Sequence, residues 1–147
     1  MRPVIRRAVI EDLGPIAVLF RRSFGTLTFL PALHTPEEDL VFFGTVIRDD
    51  EVWVWDEDAR VLGFVALGDV MLDHLYVEPD EHGRGIGTAL LARAKERRPE
   101  GLQLWTFQQN DRARSFYEYH CFRIVRMTDG SANEERTPDV LYEWLTR

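Results

Sequence analysis

The sequence predicts an α/β architecture: a single mixed β-sheet flanked by helices. Three observations predict it. Apolar residues switch repeatedly along the chain between a spacing near two and a spacing of three and four, so strands alternate with helices. The chain has 147 residues, 45% of them hydrophobic, and a chain of this length buries roughly 70% of the surface its unfolded form exposes. No internal repeat, low-complexity tract or linker divides it, so one domain over residues 1–147 is expected.

Val4 to Ile10 reads as a first strand. Glu11 and Asp12 then supply acids for the start of a helix to about Phe24, with Leu13, Ile16, Ala17 and Phe20 at helical spacing. Thr35-Pro36-Glu37-Glu38 offers an N-cap, a Pro at the first helical position and first-turn acids, so a second helix runs to about Ile47. Glu51–Trp55 and Val61–Leu67 form a predicted hairpin across Asp56-Glu57-Asp58, and Val70–Val77 completes a meander. A helix over Gly85–Arg97, a strand over Leu102–Phe107, a helix over Asp111–Tyr119 and strands over Phe122–Met127 and Val140–Trp144 follow.

Composition narrows the function. With 18 Lys plus Arg against 25 Asp plus Glu the net charge is −7, which disfavours nucleic acid as partner, because phosphate binding needs clustered cations. A cationic or amine ligand fits better, although acidity also serves solubility alone. Lys95 is the sole lysine. No apolar run nears the roughly 20 residues that cross a bilayer. The lone Cys121 has no thiol partner, and Met1–Ile10 lacks an apolar leader core. A cytoplasmic protein without membrane contact is therefore expected.

The most informative stretch is His82-Gly83-Arg84-Gly85-Ile86-Gly87-Thr88, which follows one strand and opens a helix. Alternate glycines let the backbone approach a ligand, and the free N–H groups of a helix start favour an anion. The reading is a phosphate or pyrophosphate cradle, with a plain tight turn as the alternative. Neither common nucleotide loop fits: Thr88 stands where one needs Lys, and the last Gly comes one residue too early for the other.

This loop resembles the signature of the GCN5-related N-acetyltransferase (GNAT) family, a Gln or Arg followed by x-x-Gly-x-Gly or Ala, which falls here on His82, Gly85 and Gly87. Upstream, Leu75-Tyr76-Val77-Glu78-Pro79 resembles the strand that in this family splays from its neighbour and holds the pantetheine arm. Downstream, Asn110-x-x-Ala113-x-x-x-Tyr117-Glu118-x-x-x-Phe122 resembles the family's second conserved helix. The resemblance implies a GNAT-like acyl-coenzyme A N-acyltransferase fold. It implies acetyl-coenzyme A as acyl donor, bound by Leu75, Tyr76, Val77, His82, Gly83, Arg84, Gly85, Ile86, Gly87, Thr88, Asn110, Ala113 and Phe116. His82 departs from the usual Gln or Arg. Cys121 stands where Gly is usual, so either Cys121 or His120 takes the left-handed conformation at that helix end. Trp105 stands where some members carry a base.

Acetyl transfer to an amine needs a base, since an alkyl ammonium with a pKa of about 10 is only about one part in a thousand neutral at pH 7. Asp73 shares the alternating face of Leu75 and Val77 and is the first candidate; His74, on the opposite face, has the better intrinsic pKa. By resemblance Tyr117 protonates the departing sulfur. No metal is called for, and Cys121 lies outside these positions, so direct attack is expected. In the family it resembles, the first two helices and the last hairpin wall the acceptor pocket, which implies that the acceptor, an amine-bearing small molecule or peptide, meets Phe24, Phe29, Leu30, His34, Phe42 and the loop Asp129 to Asp139, with Trp105 beside them. Asn133, Glu134 and Glu135 in that loop either bind its charge or form a solvated turn. A homodimer is left open, as are a non-catalytic coenzyme-sensing module and transfer of a larger acyl group.

Overall fold

The computed structural model describes residues 2–146. It comprises β1 (Val4–Arg7), α1 (Leu13–Phe24), α2 (Pro36–Asp49), β2 (Glu51–Glu57), β3 (Arg60–Leu67), β4 (Leu72–Val77), α3 (Ile86–Arg97), β5 (Gly101–Phe107), α4 (Asp111–Tyr119), β6 (Arg123–Thr128) and β7 (Asp139–Leu145). The α/β class and the element order agree with the sequence. Among the described residues no helix is long and apolar enough to cross a membrane.

The expected single sheet is parted. β1-β2-β3-β4 form one antiparallel sheet and β5-β7-β6 another. One parallel bridge, Met71 to Gln103, joins them, with Gln103 N–H donating to the Val70 carbonyl at 2.9 Å. Beyond that bridge β4 and β5 separate. Two apolar cores flank the strands. Ile16, Leu19, Phe43, Val54 and Phe64 lie between α1, α2 and the first sheet. Val65, Leu90, Leu91, Leu104, Tyr117 and Tyr142 lie under α3 and α4 and run across both sheets. The second core holds the halves together where hydrogen bonds do not.

Local chemistry accounts for the boundaries. The first strand stops at Arg7 rather than Ile10 because Arg6 grips Asp12 with two bonds of 2.8 and 2.9 Å, folding Ile10–Asp12 into a 3₁₀ turn. Thr35 and Glu38 form the capping box of α2, with Glu38 N–H donating to Thr35 Oγ1 and Thr35 N–H to Glu38 Oε1. The β2–β3 hairpin closes through Asp58 and Ala59, both left-handed, as the twist of a two-residue turn requires. Gly63 lets α3 approach β3: a Cβ there would stand 2.9 Å from Leu90 Cδ1 and 3.0 Å from Ile86 Cγ2.

Candidate active site

Where β4 and β5 part, two clefts open and meet. The larger, about 410 Å³, is lined by Leu75, Tyr76 and Val77 of β4, by His82, Gly83, Gly85, Ile86, Gly87 and Thr88 of the glycine loop, and by Asn110, Ala113, Phe116 and Tyr117 of α4. The smaller, about 100 Å³, is lined by Asp73, His74, Trp105, Thr106 and Phe107. Leu27, Leu75, Tyr76, Asn110, Ala113 and Tyr117 line both.

Each wall has a local cause. Gly83 and Gly85 are left-handed, at φ 85° and 82°, and an added Cβ would meet nothing within 4 Å. Bare backbone therefore borders the open groove, and Gly85 caps α3, whose first-turn N–H groups lack helical acceptors. Asn110 caps α4, its Oδ1 accepting from Ala113 N–H at 3.2 Å. The far end of α4 closes with Phe122 N–H donating to the Tyr117 carbonyl and Cys121 N–H to that of Glu118, a Schellman arrangement. Cys121 is the left-handed residue, at φ 72°. The Phe122 ring rests 5.4 Å from that of Tyr117, so this helix end fixes the phenol's position.

A family model described as an acetyltransferase (GNAT) domain matches residues 48–124. The chain is 32% identical over 124 residues to the peptidyl-lysine N-acetyltransferase YjaB of Escherichia coli, covering 82% of each. The chain belongs to the GNAT acetyltransferase family. The peptidyl-lysine N-acetyltransferase YiaC of Escherichia coli is 40% identical over 74 residues, and that match spans half of each protein. The solution structure of apo YjaB superposes with a TM-score of 0.81 at 24% identity over all of both chains. The PaiA N-acetyltransferase of Thermoplasma acidophilum, solved in complex with coenzyme A, superposes with a TM-score of 0.81 at 23% identity, covering 99% of this chain and 100% of its own.

GNAT acetyltransferases draw their acyl group from acetyl-coenzyme A, and the bare glycine backbone and uncapped helix start here suit its pyrophosphate. For Arg84 the correction concerns the side chain alone: it is bound to Glu57 at 2.8 and 2.9 Å and to Glu81 at 3.0 Å and does not line the groove, while its backbone stays part of the glycine loop. The imidazole of His82 is turned back on the Val77 carbonyl at 3.2 Å, which also accepts from Ser23 Oγ at 3.0 Å.

On the acceptor side, Trp105 lines the smaller cleft, with Arg126 stacked on its ring at 5.4 Å. Phe24 and Phe29 line neither cleft: Phe24 packs on Phe20 and Phe29 on Phe107. Leu27, between them in sequence, reaches both clefts instead. Glu134 is tied to His34 at 2.5 Å, which joins the loop before α2 to the β6–β7 loop. Asn133 binds the Thr137 carbonyl and Asp139 and accepts from Thr137 N–H, so it staples its own loop rather than facing an amine. Phe42 stacks against His74.

The face assigned to Asp73 by alternation is overturned. β4 carries a bulge there: Leu67 pairs with Leu72 and Ala66 with His74, leaving Asp73 unmatched. Leu72, not Asp73, joins Leu75 and Val77 against the α3 core. Asp73 nonetheless reaches the cleft. Partial withdrawal from water, then the neighbouring Asp50 carboxyl, pushes its pKa up to about 7. Burial lowers His74 to about 4, so it stands neutral at pH 7. Burial raises the Tyr117 phenol well above its ordinary value, so it keeps its proton.

Sequence reasoning missed Ser23, Thr26, Leu27 and Arg112, all on the wall of the larger groove. Arg112 carried a readable signal: a cation in the first turn of a helix, where acids are the rule, is explained when an anion is to bind nearby.

Proposed function

We propose that this GNAT protein transfers an acetyl group from acetyl-coenzyme A to a primary amine, a lysine side chain in a peptide or protein being the favoured acceptor. The observation that carries the reading is the junction of two clefts at Tyr117: a backbone-lined groove on one side and a smaller, acidic, aromatic cleft on the other. The names of YjaB and YiaC support a lysine acceptor, and the net charge of −7 favours a cationic one.

Acetyl-coenzyme A, when bound, supplies an activated thioester carbonyl. The glycine loop and the α3 N-terminus would hold its pyrophosphate through backbone N–H groups, and the unpaired edges of β4 and β5 would take its amide arm. Asp73 Oδ would accept the ammonium proton, because a carboxylate near neutrality is poised for that transfer. Tyr117 Oη would donate its retained proton to the departing sulfur. Trp105 and Phe107 would bound the acceptor's methylene chain. A panel of lysine peptides, free diamines and N-terminal peptides, assayed with acetyl-coenzyme A by thiol release, tests the reading. Lysine peptides are expected to turn over fastest. Tight coenzyme A binding without turnover of any amine would overturn it in favour of a sensing module.

A further inference from the structure

Two carboxyl groups from distant parts of the chain face one another beside the smaller cleft. The bulge at Asp73 turns that side chain out of the ladder. One carboxylate oxygen lies over the β3–β4 turn, only 3.3 Å from where a Cβ on Gly68 would stand. Asp50 ends α2 just before β2, and the register places it beside the first: Glu51 pairs with Leu67, and Leu67 with Leu72, so Asp50 comes to the same β3–β4 turn over which Asp73 lies, close enough for the two carboxyls to interact. Stability does not call for this pairing. Two carboxylates side by side repel, and the C-terminal end of α2 adds charge of the same sign. Among the described residues no Arg, Lys or His forms an ion pair with either.

The β3–β4 turn beneath Asp73 also holds Asp69, and one cation reaches it: Arg98, after α3, donates to the Gly68 carbonyl at 2.9 Å and to Glu51, the neighbour of Asp50, at 3.2 Å, so its guanidinium is engaged by groups other than the pair. The α2–β2 junction contributes Asp50, the β3–β4 turn comes closest through Gly68, and β5 faces the cleft with Leu104, Trp105 and Thr106, none of which titrates. His74, next along β4, is the other group on this cleft that titrates below the phenols, and it feels the same Asp50.

We propose that Asp50 is a positioning residue for the base: the proton that Asp73 takes from the acceptor's ammonium is shared between the two carboxyls, and before transfer their paired charge draws a cation into the cleft. The inference rests on the reading of Asp73 as base. The ammonium gives one proton to the carboxylate pair, leaving a neutral amine and an acid–carboxylate pair with a single negative charge. As the C–N bond forms and the C–S bond breaks, the second N–H proton passes to water, the sulfur takes the proton of Tyr117, and the phenolate recovers a proton from that water, so the thiol's proton is in balance the one the amine lost. The pair then releases its own proton to solvent.

The test compares the wild type with Asp50→Asn, Asp50→Glu and Asp73→Asn in two measurements. One is the carbon-13 NMR titration of the Asp73 carboxyl in the free protein. The other is the pH profile of kcat/KM with acetyl-coenzyme A and Nα-acetyl-lysine methylamide. In Asp50→Asn the Asp73 titration should move down toward the ordinary carboxylate range, stopping above it because burial still raises it, the acid limb should move down with it, and the rate at pH 8 should fall up to about tenfold as the base weakens. Asp50→Glu should restore the higher midpoint. An unmoved Asp73 titration in a folded Asp50→Asn protein overturns the proposal. Inactive Asp73→Asn beside an unmoved Asp50→Asn profile keeps the base and discards Asp50. Wild-type rate and profile in Asp73→Asn would discard both.

Discussion

Tyr117 sits among Phe116, Phe122 and Tyr142 and lines both clefts where they meet. Its packing belongs to the ring and its proposed chemistry to the oxygen, so the two separate cleanly by mutation. In Tyr117→Phe the ring contacts stay and the proton donor goes. Steady-state kinetics should show kcat down about 100-fold, the lower end of what general acid catalysis contributes, because a thiolate leaves partly unassisted at neutral pH. Coenzyme A affinity by calorimetry and the melting temperature should change little. Tyr117 was legible in the sequence because its motif is contiguous, whereas Asp50 was not, its partner lying 23 positions away on another element. The side chain of Arg84 was unreadable for the same reason: Glu57, which holds it, lies 27 positions away at the end of β2.

At the scale of elements, signals contained within four or five residues were readable and those needing a second segment were not. The capping box of α2 lies wholly within Thr35–Glu38 and was visible. The bulge in β4 adds one residue without altering the apolar alternation around it, so strict period-two reasoning put Asp73 on the wrong face. The end of α4 was legible as a choice between two residues, and the structure selects Cys121. A side chain with a Cβ in that conformation costs about 1 kcal/mol relative to glycine. Cys121→Gly should therefore raise stability by roughly 0.5–1 kcal/mol in chemical denaturation, a gain reduced by glycine's greater freedom when unfolded. Loss of stability would mean that the Cys121 side chain contributes packing the left-handed backbone does not reveal.

For the whole molecule, element order and layering were legible because they follow from local periodicity. The parting of the sheet entered only through family resemblance, since it is a relation between β4 and β5 that neither strand encodes alone. A long-range clasp tightens the opposite end. Glu51, at the start of β2, accepts from Arg97 at 2.5 Å, Arg98 at 3.2 Å and Trp53 at 2.8 Å. Burial pushes this carboxyl up, but those donors outweigh it and hold it down at about 2, against 4.5 for an ordinary glutamate. A folded pKa below the unfolded one contributes stability above about pH 4.5 and loses it as pH falls toward 2. The melting temperature of the wild type should decline through that window. Glu51→Gln should start lower at pH 7 and decline less. Equal slopes would remove Glu51 from the molecule's acid sensitivity.

Parting one sheet into two leaves the fold with four strand edges instead of two, and each exposed edge is a template on which a stray chain could add. The outer edges are defended by charge and irregularity: Arg6 and Arg7 on β1, Arg123 and Arg126 on β6 with its bulge at Val125. The inner edges carry such a guard only at one end of the gap, where β4 has the bulge and the carboxyl of Asp73; beyond it Leu75 and Val77 on β4 and Leu104 on β5 are apolar. Their further protection is position: both edges face the walls of the two clefts, with the core beneath α3 and α4 packed across them. The gap that serves acetyl transfer is thus also the place where the molecule conceals its most aggregation-prone backbone.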